Sequence, residues 1–161
     1  MYDLVDRSVS ILPAGSRFLL WAMRGWVSAC GRGDCPPGQL APAFIKSGTI
    51  ETLSHFHITM CLLNCNGRQI LNFHCVHQPQ ISESEAVLLR LWSEIAAGNE
   101  RAALPIIELL VEMDAAASVF SAMRAVIPGL SMAGLDPVID RPPHTADRHE
   151  GQPEHRRTHR F

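Results

Sequence analysis

The chain has 161 residues, of which 47% are hydrophobic, and its 14 Lys and Arg against 16 Asp and Glu give a net charge of −2. This length and composition predict one folded domain and argue against a chain that is disordered throughout. The charge argues against a nucleic-acid-binding module of the strongly basic type. The longest run without a charged side chain, residues 52–67, is too short and too polar to span a bilayer, so we expect no membrane association.

Five cysteines, an odd number, are spread over positions 30, 35, 61, 65 and 75. The first ten residues contain Asp3 and Asp6 and no apolar block, which is not the pattern of a secretory signal. A chain of this length also builds a core without needing a disulfide framework. We therefore predict free thiols and a cytoplasmic location. All but one of the 14 basic residues are arginine, which indicates a GC-rich bacterial genome.

Helical spacing of apolar residues recurs along the chain and predicts a mainly α fold, a small single-domain bundle of about five helices. An N-terminal arm, residues 1–15, precedes the helical domain, residues 16–135. The tail, residues 136–161, is rich in Pro, His and Arg, and we expect it to be disordered because it has too few apolar residues to fold. One short extended segment at most is expected, near residues 69–77.

The predicted helices follow one another closely. They cover residues 16–29, 39–46, 49–64 and 82–97, then a segment from residue 99 to about 110, and finally residues 114–126. Pro128 and Gly129 are expected to break or kink the last of them.

The strongest local pattern lies at the start of the fourth predicted helix. Ser82 followed by Glu85 matches a capping box, in which each residue satisfies a backbone N–H of the other. Gly98 then ends the helix. The spacing from Gly98 to Ala103 and Ile107 is similar to the turn and second helix of a tetratricopeptide hairpin. No second copy follows at a period near 34 residues, so we predict a single helical hairpin and not a repeat protein.

Familiar catalytic patterns are absent from the sequence. It contains neither of the glycine-rich phosphate-binding patterns, nor the nucleophile elbow of hydrolases, nor the zinc-protease pattern H-E-x-x-H. Pairs of acidic residues, Glu83 with Glu85 and Glu108 with Glu112, occupy helix starts and outward faces, and we expect them to be solvated. An enzyme of unknown class is therefore the third of our hypotheses.

Potential metal ligands are concentrated in one part of the chain, residues 55–77. His57, Cys61 and Cys65 share one ridge of a helix at spacings of four residues, and His74 and His77 follow from a segment that could fold back over it. Zinc takes four nitrogen or sulfur ligands. The hypothesis is a zinc site of His57, Cys61, His74 and His77. The alternative is that the cysteines only pack in the core, and no zinc-finger spacing is present to decide between the two.

One aromatic residue stands out on the polar side of the first helix. Trp21 lies between Arg17 and Arg24 on that stripe, and Trp and Arg are enriched at interaction hot spots. We predict that these three residues bind a protein partner or a second copy of the chain. The alternative is that another helix or the 70–80 segment covers Trp21.

Together these patterns favour a non-catalytic binding or regulatory helical module of bacterial type that acts through a protein–protein surface. No cofactor is expected under this hypothesis, and nucleic acid is not the expected partner. The second hypothesis is a metal- or redox-responsive protein that uses the His/Cys cluster, with zinc as its ligand.

Overall fold

Six α-helices make up most of residues 2–139, the part of the chain that the computed structural model describes. The predicted mainly α fold is confirmed, with six helices where a bundle of about five was expected. Three short 3₁₀ helices occupy Tyr2–Leu4, Val9–Ile11 and Ile50–Thr52. The helices are α1 (Ala14–Arg32), α2 (Pro36–Lys46), α3 (Leu53–Cys65), α4 (Glu83–Ala96), α5 (Glu100–Leu110) and α6 (Met113–Met132).

Several helix ends follow from local sequence. Helix α1 stops at Gly33, whose φ of 74° lies in the left-handed region that favours glycine. Helix α2 begins with Pro36, which suits the first turn because the N–H it lacks has no partner there. The predicted capping box at the start of α4 is confirmed, since the Ser82 hydroxyl accepts from the Glu85 N–H and the Glu85 carboxylate accepts from the Ser82 N–H.

Helix α6 is longer than its sequence predicted. It runs through Pro128 and Gly129 to Met132, so of the break or kink expected at this dipeptide the break does not occur. Gly129 serves packing instead, because a Cβ at this position would lie 2.2 Å from Cγ2 of Thr52. The absence of a side chain therefore lets α6 approach the 3₁₀ turn that precedes α3.

The core joins helices from both halves of the chain. Helix α1 packs on α2 and α4, α3 packs on α6, and α5 contacts both α4 and α6. Phe44, Phe56 and Trp92, all fully buried, connect α2, α3 and α4 through ring contacts of 5.7 and 6.5 Å between centroids. These rings bury large apolar areas, which is the main stabilising contribution in such a fold.

Residues 67–81, which we call the strap, connect α3 to α4 without regular secondary structure. Residues 2–139 contain no β-strand, and the only β-type pairs in this range are isolated bridges, Ser8 with Gln80 and Gly67 with Val111. The predicted extended segment near residues 69–77 thus lies in the strap and forms no strand.

Both ends of the described chain contact the helices. In the N-terminal arm, the Val9 N–H donates to the Pro79 carbonyl over 2.7 Å. At the other end, the Ser16 hydroxyl donates to the Pro137 carbonyl over 3.1 Å and the Ile139 N–H donates to the Ser93 hydroxyl over 2.9 Å. Residues 136–139 therefore pack on the helical domain. The rest of the segment that we expected to be disordered, residues 140–161, lies outside the described residues.

Helix α6 is, among the described residues, the one helix long and apolar enough to cross a membrane by length and composition alone, with a mean hydropathy of 1.3. These two properties are equally typical of a core helix. In the structure α6 contacts α3, α4 and α5, and 39% of the apolar stretch is buried in the protein.

Candidate functional site

Two charged residues lie buried between α1 and α4. Arg24 is 3% exposed and Glu85 is 0% exposed. Arg24 Nε lies 2.8 Å from Glu85 Oε1, and Arg24 Nη2 lies 2.8 Å from Glu85 Oε2. The predicted place of Arg24 in a partner-binding surface is therefore wrong, and so is the expectation that Glu85 is solvated. Each side chain can keep its charge while buried because two hydrogen bonds join the guanidinium to the carboxylate.

The same pair holds the end of the strap. Arg24 donates to the Gln78 carbonyl through Nη1 and to the Gln80 carbonyl through Nη2, both over 2.6 Å. The Glu85 carboxylate accepts from the His74 N–H over 2.9 Å and from the Ser82 N–H over 2.8 Å. Side chains from two helices thus form hydrogen bonds with backbone groups of an irregular segment. Such groups need hydrogen-bond partners when they are buried.

This arrangement sets the charge of Glu85. Burial alone would raise the pKa of Glu85. The hydrogen bond from Arg24, the backbone N–H groups of Ser82 and His74, and the positive charge of Arg24 outweigh it and hold the pKa below the ordinary value of 4.5. The carboxylate is therefore ionised in the folded protein at neutral pH, as the ion pair needs.

The predicted zinc ligands are not brought together. The backbone N–H of His74 donates to the Glu85 carboxylate, and Nδ1 of the His74 ring lies 3.1 Å from the Gln80 carbonyl oxygen. His57 and Cys61 lie on α3 and contact one another. Across residues 2–139 no group of three or more His, Cys, Asp or Glu side chains is placed to hold a metal ion. The zinc site of His57, Cys61, His74 and His77 therefore has no geometric support.

His57 itself is held by a tryptophan. Trp26 Nε1 donates to His57 Nδ1 over 2.9 Å, and the two rings are 6.0 Å apart between centroids. An indole N–H can only donate, so Nδ1 accepts and the proton of the neutral ring lies on Nε2. The Cys61 sulfur lies 3.6 Å from Nε2 and 3.8 Å from Nδ1, almost equally far from the two ring nitrogens. Because the indole occupies Nδ1 and Nε2 carries the proton, neither nitrogen offers Cys61 a free lone pair, so the ring is not placed as a base for a cysteine nucleophile.

The surroundings of Cys61 affect the acidity of its thiol. The pKa of Cys61 is raised above its ordinary value of 9.0, first by burial and then by electrostatic interaction with Cys65 and with Cys30. Burial likewise raises the pKa of Cys30. Both thiols are therefore protonated in the folded protein at neutral pH.

A pocket of about 330 Å³ opens between α1, α3 and the start of the strap. Its volume falls at the lower end of the range for ligand pockets, about 300–1,000 Å³. Its rim carries the polar side chains of Asn64, Arg68 and Gln69. The walls are apolar and are formed by Trp26, Val27, Met60, Leu63, Leu71 and Phe73.

The predicted interaction residues on α1 have different surroundings. Arg17 is exposed and donates to the Leu12 carbonyl over 2.9 Å. Trp21 is half-buried against the core and lies 6.2 Å from the Phe18 ring between centroids. Of the three, Arg17 and Trp21 keep a surface that a partner can reach.

Comparison with known proteins returns no match. No family model, no curated protein and no solved structure corresponds to this chain. The function must therefore be inferred from the site itself.

Two separate features of the sequence point to this site. Trp26 belongs to the apolar arc of α1, and Leu71 and Phe73 are apolar residues of a segment without helical spacing. The walls of the pocket come from these two places and from α3. Only the path of the strap brings them together, and that path depends on Arg24 and Glu85.

Proposed function

We propose that the protein is a non-catalytic binding module that takes a short apolar segment of a protein partner into the pocket between α1, α3 and the strap. The observation that carries the proposal is the pocket of about 330 Å³ with its apolar walls. Concave apolar sites with a few polar groups at the rim are typical binding sites.

An apolar residue at the rim favours a protein partner. Ile70 lines the pocket and is 87% exposed. Burial of such a side chain contributes about 1.5–3 kcal/mol when a partner covers it. Because Ile70 continues the apolar surface outside the pocket, the favoured occupant is a segment that both enters the pocket and covers its edge.

The polar rim suits a peptide backbone. The side-chain amides of Asn64 and Gln69 make no hydrogen bond within the described part of the chain, and both residues are exposed. Each can donate and accept, so each can pair with a peptide N–H or carbonyl. Arg68 is engaged already, with its Nη1 3.2 Å from the Glu108 carbonyl oxygen.

The test is selection of binders from a displayed library of random peptides against the full chain. We expect selected peptides to share an apolar residue, and we expect Ile70→Ser to weaken their binding at least about tenfold, equivalent to about 1.4 kcal/mol. Val27→Trp, which fills the pocket from α1, should have a similar effect. Met132→Ser is the matched control, because Met132 is 91% exposed and does not line the pocket.

Two results would overturn the proposal. One is a selection that yields no peptide, or only peptides whose binding Ile70→Ser and Val27→Trp leave unchanged. The other is a concentration-dependent dimer in sedimentation that Ile70→Ser abolishes, which would make a second copy of the chain the occupant.

A further inference from the structure

The middle of the strap is held on one side by the start of α4. The Asn72 N–H donates to the Ser84 hydroxyl over 3.0 Å, and the Asn72 carbonyl accepts from the Ser82 hydroxyl over 2.7 Å. Two residues later, the His74 N–H donates to the Glu85 carboxylate over 2.9 Å. Residues 72 and 74 thus direct backbone groups towards the same helix.

The backbone groups of the neighbouring residues have no such partners. The N–H and C=O groups of Leu71 and Phe73 make no hydrogen bond within residues 2–139. In an extended chain the backbone groups of successive residues point to alternate sides. Those of Leu71 and Phe73 therefore point away from α4. Since buried backbone groups are almost always paired, four unpaired groups in a row are typical of backbone that solvent can reach.

The exposure of the side chains alternates with the same period of two. Ile70 is 87% exposed, and Asn72 is exposed as well. Leu71 and Phe73 are half-buried, pack against the core and line the pocket. A period of two in side chains and in backbone groups is the pattern of a β-strand. Residues 70–74 thus have the form of a single strand without a partner strand.

We propose that the free edge of this segment, the backbone of Leu71 and Phe73, binds an extended segment of a protein partner as an added β-strand. The backbone of the partner pairs with the strap, and its alternate apolar side chains enter the pocket. Strand addition takes its affinity from main-chain hydrogen bonds and its specificity from pockets for side chains. This inference rests on the proposed function and names the conformation of the bound segment.

The pocket lies on the face to which alternate side chains of an added strand point. Residues opposite each other on paired strands have their side chains on the same face. The partner residues opposite Leu71 and Phe73 therefore point to the pocket walls, as those two side chains do. The partner residue next to Ile70 lies on the outer face and covers that exposed side chain. One extended segment thus fills the pocket and covers its edge.

Other occupants fit this edge less well. A helical segment has its backbone groups bonded within the helix, so it cannot pair with the strap. A second copy of the chain has a matching free edge. Its Leu71 and Phe73 side chains, however, already line its own pocket and cannot fill this one. An extended segment of another protein is therefore the favoured occupant.

The first test compares two displayed peptide libraries of equal composition against the full chain. In one library apolar and polar residues alternate, and in the other apolar residues recur at the helical spacing of three and four. We expect the alternating library to yield at least about tenfold more binders. Binders from the helical library alone would overturn the added strand and leave the proposed function intact. The absence of binders from both libraries would overturn the two together.

Methylation of backbone nitrogens in a selected peptide tests the pairing itself. An N-methyl group removes one N–H donor, so we expect a loss of affinity of at least about tenfold at every second position of the paired stretch and little change between them. Losses that do not follow a period of two would overturn the proposal.

Amide hydrogen exchange of the full chain measures the same pairing on the strap. With a selected peptide bound, we expect the amides of Leu71 and Phe73 to exchange at least about tenfold more slowly. The amide of Ile70 is the matched control, because it points to the other side of the segment and should not change. Equal protection of all three amides, or of none, would overturn the proposal. Protection without a peptide that rises with protein concentration would also overturn it, in favour of a second copy.

Discussion

Arg24 of α1 and Glu85 of α4 form a buried ion pair with two contacts of 2.8 Å, and the same two side chains hold four backbone groups in and next to the strap. A buried pair of this kind is sensitive to the loss of either partner, because the remaining charge has no water to compensate it. The position of the strap against α1 and α4 therefore depends strongly on this pair of residues.

Replacement of Arg24 should be strongly destabilising. We expect Arg24→Met to lower the free energy of unfolding by about 3–5 kcal/mol, because it leaves the Glu85 carboxylate buried without its partner. Urea denaturation measures this change. Arg17→Met is the control on the same helix, since Arg17 is exposed, and its loss should cost about 1 kcal/mol or less. Similar stabilities of the two variants would contradict the assigned role of Arg24.

Acid should weaken the protein partly through Glu85. The folded protein holds the pKa of Glu85 below its ordinary value of 4.5, so the ionised side chain stabilises the fold above about pH 4.5. This contribution is lost as the pH falls through the lower pKa of the folded state. Glu85→Gln should therefore be less stable than the natural protein at pH 7, and the difference should shrink in acid.

Urea denaturation from pH 7 down to pH 3 measures that difference. Glu83→Gln is the matched control, at an exposed position in the same first turn of α4. A gap between Glu85→Gln and the natural protein that stays constant over this range would show that Glu85 is not the group responsible.

The tautomer of His57 should depend on Trp26. Nitrogen-15 NMR of the natural protein should show the Nε2-protonated form of His57, because the indole of Trp26 occupies Nδ1. Trp26→Phe removes the donor, and we expect a mixture of tautomers and a loss of about 0.5–1.5 kcal/mol from the lost hydrogen bond. Identical imidazole spectra in both proteins would contradict this contact.

Trp21 should behave as a half-buried residue. We expect Trp21→Ala to cost less than Trp92→Ala, for which the loss of a fully buried tryptophan should cost about 3–5 kcal/mol. Thermal unfolding of both variants compares them. If Trp21 contributes to a partner surface, as the sequence predicts, peptides selected on the full chain at that surface should bind Trp21→Ala more weakly. Equal losses of stability would place Trp21 in the core instead.

The short segment after Leu135 should add stability. A chain that ends at Leu135 lacks the buried Pro137, its contact with Ser16 and the hydrogen bond from Ile139 to Ser93. We expect it to be about 1–3 kcal/mol less stable than a chain that ends at Ile139, from two hydrogen bonds at about 0.5–1.5 kcal/mol each. Chemical denaturation of the two truncated chains decides this, and equal midpoints would show that residues 136–139 add nothing.

Local patterns predicted the helices well, because caps and apolar periodicity act over a few residues. Ser82 and Glu85 are three residues apart, and the sequence predicted their mutual cap correctly. It could not show that Glu85 also pairs with Arg24, 61 residues away, because opposite charges at such a separation carry no periodic signal. Without that pair, Arg24 and Glu85 both have the pattern of surface residues.

The candidate site illustrates the same limit. Spacing of four residues on α3 placed His57 beside Cys61, and the structure has them in contact. The remaining zinc ligands required the strap to fold over α3, and that path is set by its hydrogen bonds to Arg24 and Glu85. Leu71 and Phe73, which line the pocket, belong to the strap. Because the path of the strap could not be predicted, the pocket could not be predicted either.

The hydrogen bonds of the strap have a consequence for amide hydrogen exchange. The N–H groups of His74 and Ser82 both donate to Glu85, and those of Asp6 and Val9 donate to the Ile81 and Pro79 carbonyls. Irregular segments usually exchange their amide hydrogens rapidly with solvent. Here the amides of His74 and Ser82 can exchange only when they part from the Glu85 carboxylate, which Arg24 of α1 also holds. Their exchange rates should therefore follow the opening of the Arg24–Glu85 pair, although they belong to a connection without helix or strand.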